Sequence, residues 1–121
     1  MTAKATRLKA LRIGDVTVAE LVDRKLLEET TIAQVGLELF ALAGAAPAPR
    51  MVLDFINVAH MSSSALGMLI TLHKRVREKD GQLRLCNIRP SIREVFSITR
   101  LDEVIRISPS RDEAVREADM S

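Results

Sequence analysis

Apolar and polar residues alternate at the start of the chain, and the period then changes. Residues 8–13 (LKALRI) read as a first strand and Gly14-Asp15 as a turn. Residues 16–22 read as a second strand with Val16, Val18 and Leu21 facing inward. Two alternating runs about a tight turn predict a hairpin. Residues 23–25 break the alternation, and from Leu26 or Leu27 the spacing becomes helical. Ile32, Val35, Leu39 and Leu42 recur at three and four residues and form one apolar stripe. Glu28 and Glu29 fall near that helix start, where the positive end of the dipole favours carboxylates. Gly44 and residues 45–49 end it.

Residues 51–56 (MVLDFI) form a short apolar run between helices, the pattern of a central strand. A loop is expected over residues 57–61. Ser62, Ser63 and Ser64 then cap a helix to about Lys79, with Leu66, Leu69, Ile70, His73 and Val76 as its buried face and Asp80-Gly81 closing it. Residues 82–86 alternate, with Leu83 and Leu85 on one face. Residues 87–90 lead into a helix at 91–98 that packs Ile92, Val95 and Phe96. Pro90 suits a helix start because its missing N–H would be unpaired there. Residues 101–107 read as a turn and a last short strand. Residues 110–118 read as a last helix opened by Ser110 with Glu113 three positions on. The sum is an α/β fold with a mixed β-sheet of four to five strands and about four helices.

Composition narrows the function. The 121 residues are 47% apolar and 28% charged, the balance of one globular domain, with residues 1–6 and 119–121 as loose tails. The formal charge of +2 is too small to predict direct nucleic-acid binding, and 2% aromatic content offers no base-stacking platform. No apolar run approaches the ~20 residues that span a bilayer. The single cysteine, Cys86, forms no intrachain disulfide, which fits a cytoplasmic protein.

The segment Met61-Ser62-Ser63-Ser64-Ala65-Leu66-Gly67 carries the most chemistry. Its plain reading is a helix cap, for which one serine suffices. Its functional reading uses the same physics. A helix start after a central strand lies at the sheet's carboxyl edge and stabilises anions, including a phosphoryl group on a serine.

From residue 51 to 107 the order of motifs resembles the STAS domain of anti-sigma factor antagonists: an apolar strand with Asp54, a serine-rich helix start, a basic helix and a Gly turn. An apolar strand, a Pro-started helix and the Leu101-Asp102 pair follow. The resemblance is weaker over residues 14–22. It implies an antagonist that binds a kinase-type anti-sigma factor, is switched off by serine phosphorylation and is reset by a serine phosphatase. Ser63 matches the phosphorylated serine, with Ser62 and Ser64 as alternative acceptors. Met61, Ser62, Ser63, Ser64, Met68 and Asp54 are the expected partner-binding positions. Ser62 stands where an Asp usually precedes the phosphoserine, and Ala65 stands where Gly is common. The rival readings are a non-phosphorylated STAS adaptor or scaffold, and a small-anion-sensing module. Self-association into a homo-oligomer is compatible with each.

The remaining candidates point away from catalysis. His60 and His73 lack metal-ligand spacing, so neither a metal nor any other cofactor is expected. His73 reads as a core or boundary residue, His60 as a solvated loop residue and Cys86 as a buried small hydrophobe. Lys74, Arg75, Arg77 and Lys79 make a basic helix flank. No nucleophile–base set or Gly-rich phosphate loop is present, and an enzyme is not expected.

Overall fold

The structure, a computed structural model, describes residues 7–120. The tails at residues 1–6 and 121 lie outside the described residues. A hairpin opens the fold: β1 (Leu8–Ile13) pairs antiparallel with β2 (Val16–Leu21), and Gly14 takes a positive φ of 59° in the turn between them. Short β3 (Lys25–Leu26) leads to helix α1 (Glu29–Gly44). Next come β4 (Arg50–Asp54), short β5 (His60–Met61) and helix α2 (Ser63–Glu78). The chain continues through β6 (Gln82–Cys86), helix α3 (Pro90–Ile98), a 3₁₀ turn (Leu101–Glu103), β7 (Arg106–Ser108) and helix α4 (Arg111–Met120).

The main sheet has five strands in the order β1-β2-β4-β6-β7, with β4 central. Beyond the hairpin all its pairs are parallel. The register sets Val18 beside Val52 and Glu20 beside Asp54, and on β4's other side Asp54 beside Cys86. Side chains alternate across the sheet, so each face has its own core. On one face Leu21, Leu53, Phe55 and Leu85 pack with Leu39 of α1, Leu69 and Leu72 of α2 and Phe96 of α3. On the other, Val16, Val18, Val52 and Cys86 pack under Ala114 and Ala118 of α4.

Several boundaries and packed faces differ from the sequence reading. Helix α1 begins at Glu29 rather than Leu26 or Leu27, because Lys25 and Leu26 pair in parallel with His60 and Met61. The expected loop at 57–61 thus ends in a strand. The core line of α2 is Ala65, Leu69, Leu72 and Val76, while Leu66, Ile70 and His73 are only half-buried. Leu42 in α1 is likewise at the margin, and Ala43 takes the buried place. On α3, Val95 faces outward at 39% exposure. Residue Asp119, expected in a loose tail, lies within α4.

Helix α2 ends as a Schellman motif: Asp80 N–H donates to Arg77 O and Gly81 N–H to Val76 O, with Asp80 at φ 58°. The left-handed residue is therefore Asp80. Gly81 serves the close approach instead, since a Cβ there would run into the Pro49 carbonyl. Part of the basic flank of α2 binds α1. Lys79 Nζ donates to Ala43 O at 3.1 Å and Gly44 O at 3.3 Å, at the negative end of α1, and the Arg75 guanidinium lies 4.6 Å from the Phe40 ring centre.

Candidate functional site

The site begins where β4 leaves the sheet. Phe55 N–H still donates to Cys86 O at 3.0 Å, and Val58 N–H turns back to Phe55 O at 2.9 Å. Ala59 and Ser62 then tie to the segment before α1, through Arg24 O at 2.8 Å and Leu26 O at 3.0 Å. These bonds fix where α2 begins.

The structure divides the labour of the serines. Ser62 is the N-cap: its backbone is extended (φ −98°, ψ 170°) and its Oγ accepts from Ala65 N–H at 3.3 Å. Ser64 Oγ donates to Glu29 Oε2 at 2.6 Å, which joins the first turns of α1 and α2. Ser63, the first residue of α2, is exposed, and its hydroxyl has no partner among the described residues.

Beside the serines lies a groove of about 240 Å³ between the β3–β5 pair, the start of α2 and α3. Leu27, Ala59, Met61, Leu66, Ile92 and Val95 line it, with His60 and Ser91 also contributing. Leu27 is 47% exposed, and Ile98, one turn beyond Val95 on α3, is 74% exposed. Met61 and Met68 are half-buried against the core, and only Met61 lines the groove. Exposed apolar side chains gathered next to polar ones are the composition of a protein-binding patch.

Asp54 is somewhere else. It is 2% exposed and faces α4, so it offers a partner no contact surface. Its Oδ1 accepts from Ile56 N–H at 3.0 Å and Asn87 Nδ2 at 2.9 Å, and its Oδ2 from Arg111 Nε at 2.8 Å. Asn87 reaches it from a left-handed backbone (φ 56°), a conformation Asn tolerates well. Arg111 also donates to Glu20 Oε1 at 2.7 Å, and Glu20 Oε2 accepts from Asn57 Nδ2 at 3.0 Å. Burial opposes the Arg111 charge, but the bonds to Asp54 and Glu20 outweigh it and raise its pKa.

Two other titratable groups are displaced from their ordinary ranges. Burial, assisted by the Asp54 charge and opposed by Arg111, pushes the Cys86 thiol up to about 12. A thiol at that value is a packed hydrophobe and not a nucleophile. Burial and the nearby Arg77 charge lower the pKa of His73, which sits far along α2 from the serines. His60 is exposed in β5, paired through its backbone with Lys25.

Glu29, Arg111, Asn57, Asn87 and the groove residues Leu27 and Val95 were not legible as site residues. Glu29 carried only a helix-dipole signal, and the others depend on contacts between distant segments.

Fold and site together define a class: a small α/β module with a serine-capped helix at the sheet's carboxyl edge and an apolar groove beside it. A model of the STAS domain matches residues 15–114, and the chain belongs to that family. It is 34% identical over 65 residues to BtrV of Bordetella bronchiseptica, described as a candidate anti-sigma factor antagonist, covering 54% of this chain and 56% of that one. It is 32% identical over 60 residues to the anti-sigma-B factor antagonist of Bacillus subtilis, covering 50% and 55%. The matched part thus spans little more than half the length of these curated relatives. Among solved structures, an anti-sigma-factor antagonist (STAS) domain protein from Planctomyces limnophilus superposes with a TM-score of 0.84. That match has 25% identity over 95% of this chain and 99% of the other. No described helix is long and apolar enough to cross a membrane.

Proposed function

We propose that this chain is an anti-sigma factor antagonist that works by partner switching. In its unmodified form it holds a kinase-type anti-sigma factor against the groove and the start of α2. Phosphorylation of Ser63 ends the complex, and a serine phosphatase restores it. One observation carries the reading: of three adjacent serines, two are engaged in structure, while Ser63 is exposed beside an apolar groove. A phosphoryl group there adds about −1.5 to −2 charges at the rim of a desolvated contact, enough to oppose rebinding. The chain needs no catalytic group of its own, because its partners supply transfer and hydrolysis, and it works in the cytoplasm with them. Met61 and Leu66 supply apolar contact, and Ser62 and Ser64 hold Ser63 in place.

The test is phosphopeptide mapping of the protein isolated from its own cells, with a co-purification of the tagged chain. Phosphate is expected on Ser63 and absent from the Ser63→Ala variant. Ser63→Glu should lose a kinase-like partner that the unmodified chain retains. Equal recovery of that partner by Ser63→Glu would sink the switch. It would favour the adaptor reading, which Ser62 in place of the usual acid supports.

A further inference from the structure

The polar cluster under α4 has no part in the switch as described, yet it is bonded to the loop that carries the serines. Glu20 and Asp54 are register neighbours at the ends of two adjacent parallel strands, on the same face of the sheet. Neighbouring strands lie about 4.8 Å apart, so these are two carboxylates side by side. Like charges that close repel strongly at a partly buried site unless a cation bridges them. Arg111, the first residue of α4, is that bridge, with one bond to each at 2.8 and 2.7 Å.

Both carboxylates have a second task. Asp54 also accepts the backbone N–H of Ile56, and Glu20 also accepts the side chain of Asn57, which donates in addition to Leu21 O at 3.0 Å. These residues lie near the start of the connection from β4 to the serine cap. A carboxylate that moves to escape its neighbour lets go of the loop. The helix α4 has separate apolar anchors in Ala114 and Ala118, so the effect of losing Arg111 falls on the loop first.

We propose that Arg111 is a positioning residue for the partner surface: by bridging Asp54 and Glu20 from the opposite face of the sheet, it sets the loop that presents Ser63. The functional consequence rests on the partner-switch reading, but the structural claim does not. Asp54 thereby belongs to the site at one remove, as a group that orients the loop and never meets the partner.

Hydrogen–deuterium exchange on the isolated chain tests it. In Arg111→Met, amides of residues 55–62 should exchange at least about tenfold faster, while those of residues 51–53 and of α1 stay within about twofold. Arg111→Lys should recover part of the protection, having the charge but not the fork. The decisive variant is Arg111→Met with Glu20→Gln, in which the like-charge pair is gone. Loop protection should return toward that of the unaltered chain, and this double variant should fold even if Arg111→Met does not. Uniformly faster exchange in Arg111→Met would mean a stability role alone, and no recovery in the double variant would overturn the bridging argument. Either result is independent of whether Ser63→Glu releases a partner, so the two readings fail separately.

Discussion

The two faces of the central sheet are held in different ways. Under α1, α2 and α3 the core is large and apolar: Phe55, Phe96, Leu39, Leu53, Leu69 and Leu72 are almost completely buried. Under α4 the apolar part is small, built from valines, alanines and Cys86, and charged groups complete it. Arg111 meets Asp54 and Glu20 there, and Ser108 Oγ donates to Glu117 Oε1 at 2.6 Å. Apolar volume is not directional, so the first face stabilises without specifying a fine position. Hydrogen-bonded charges are directional, and their net stabilisation is small beside the cost of breaking them. The proposed partner surface grows out of the first face, yet the loop leading to it is bonded to the carboxylates of the second, through Ile56 and Asn57. The difference predicts that stability and presentation of the site are separable in this fold.

The strongest way to break that comparison is to open the large core. Phe55 is fully buried, and its ring meets Phe96 edge to face, with centroids 6.5 Å apart at 87°. Phe55→Ala should cost about 3–5 kcal/mol in urea unfolding, through lost burial and the cavity left behind. Val52→Ala, on the α4 face, should cost about 2 kcal/mol, in proportion to the smaller apolar area. Equal costs would mean that the α4 face contributes as much apolar stabilisation as the other, and the contrast would fail.

A smaller effect reads the α4 face through pH. The folded Cys86 thiol sits at about 12 against an ordinary 9.0, so as pH rises the unfolded chain loses this proton first. Cys86 therefore contributes full stability below about pH 9 and loses it progressively toward pH 12. Between pH 8 and pH 10 the loss is about 1 kcal/mol. The slope of unfolding free energy against pH should be shallower in Cys86→Ala than in the unaltered chain. Identical slopes would show that the thiol ionises as freely in the folded protein as in the unfolded one, and that this face is wet.

Much of this architecture follows from local pattern, and its exceptions have physical reasons. The hairpin, α2 and β6 are each set by a period that a short window contains, and β4 by a short apolar run. Strands β3 and β5 are two residues each, too short to show a period, and they exist only because they pair with each other. The serine segment was legible because capping is a local rule. The role of Asp54 was not. Its partner Arg111 lies 57 residues away, and the Arg111–Glu20 bond spans 91. Resemblance to a family implies a place for Asp54 at the site, and the structure buries it on the other face of the sheet, against Arg111. Helical spacing puts Val95 with the core, but α3 has apolar residues on two sides and spacing does not tell which side is covered; in the structure Val95 faces outward.

The finest contrast lies within the serine cluster itself. Ser62→Ala removes the acceptor of Ala65 N–H and leaves a first-turn donor unpaired, which should cost about 1 kcal/mol. Ser63→Ala removes an exposed hydroxyl with no partner among the described residues, and alanine is the better helix former, so its cost should be near zero. Thermal unfolding of the two variants side by side measures the difference, at about 4 °C per kcal/mol for a domain of this length. A lowered midpoint for Ser62→Ala with an unchanged one for Ser63→Ala assigns structure to the first serine and leaves the second free to serve a partner. If the two variants fall together, Ser63 is also holding the helix, and its modification would act by loosening α2 instead of by charging a surface.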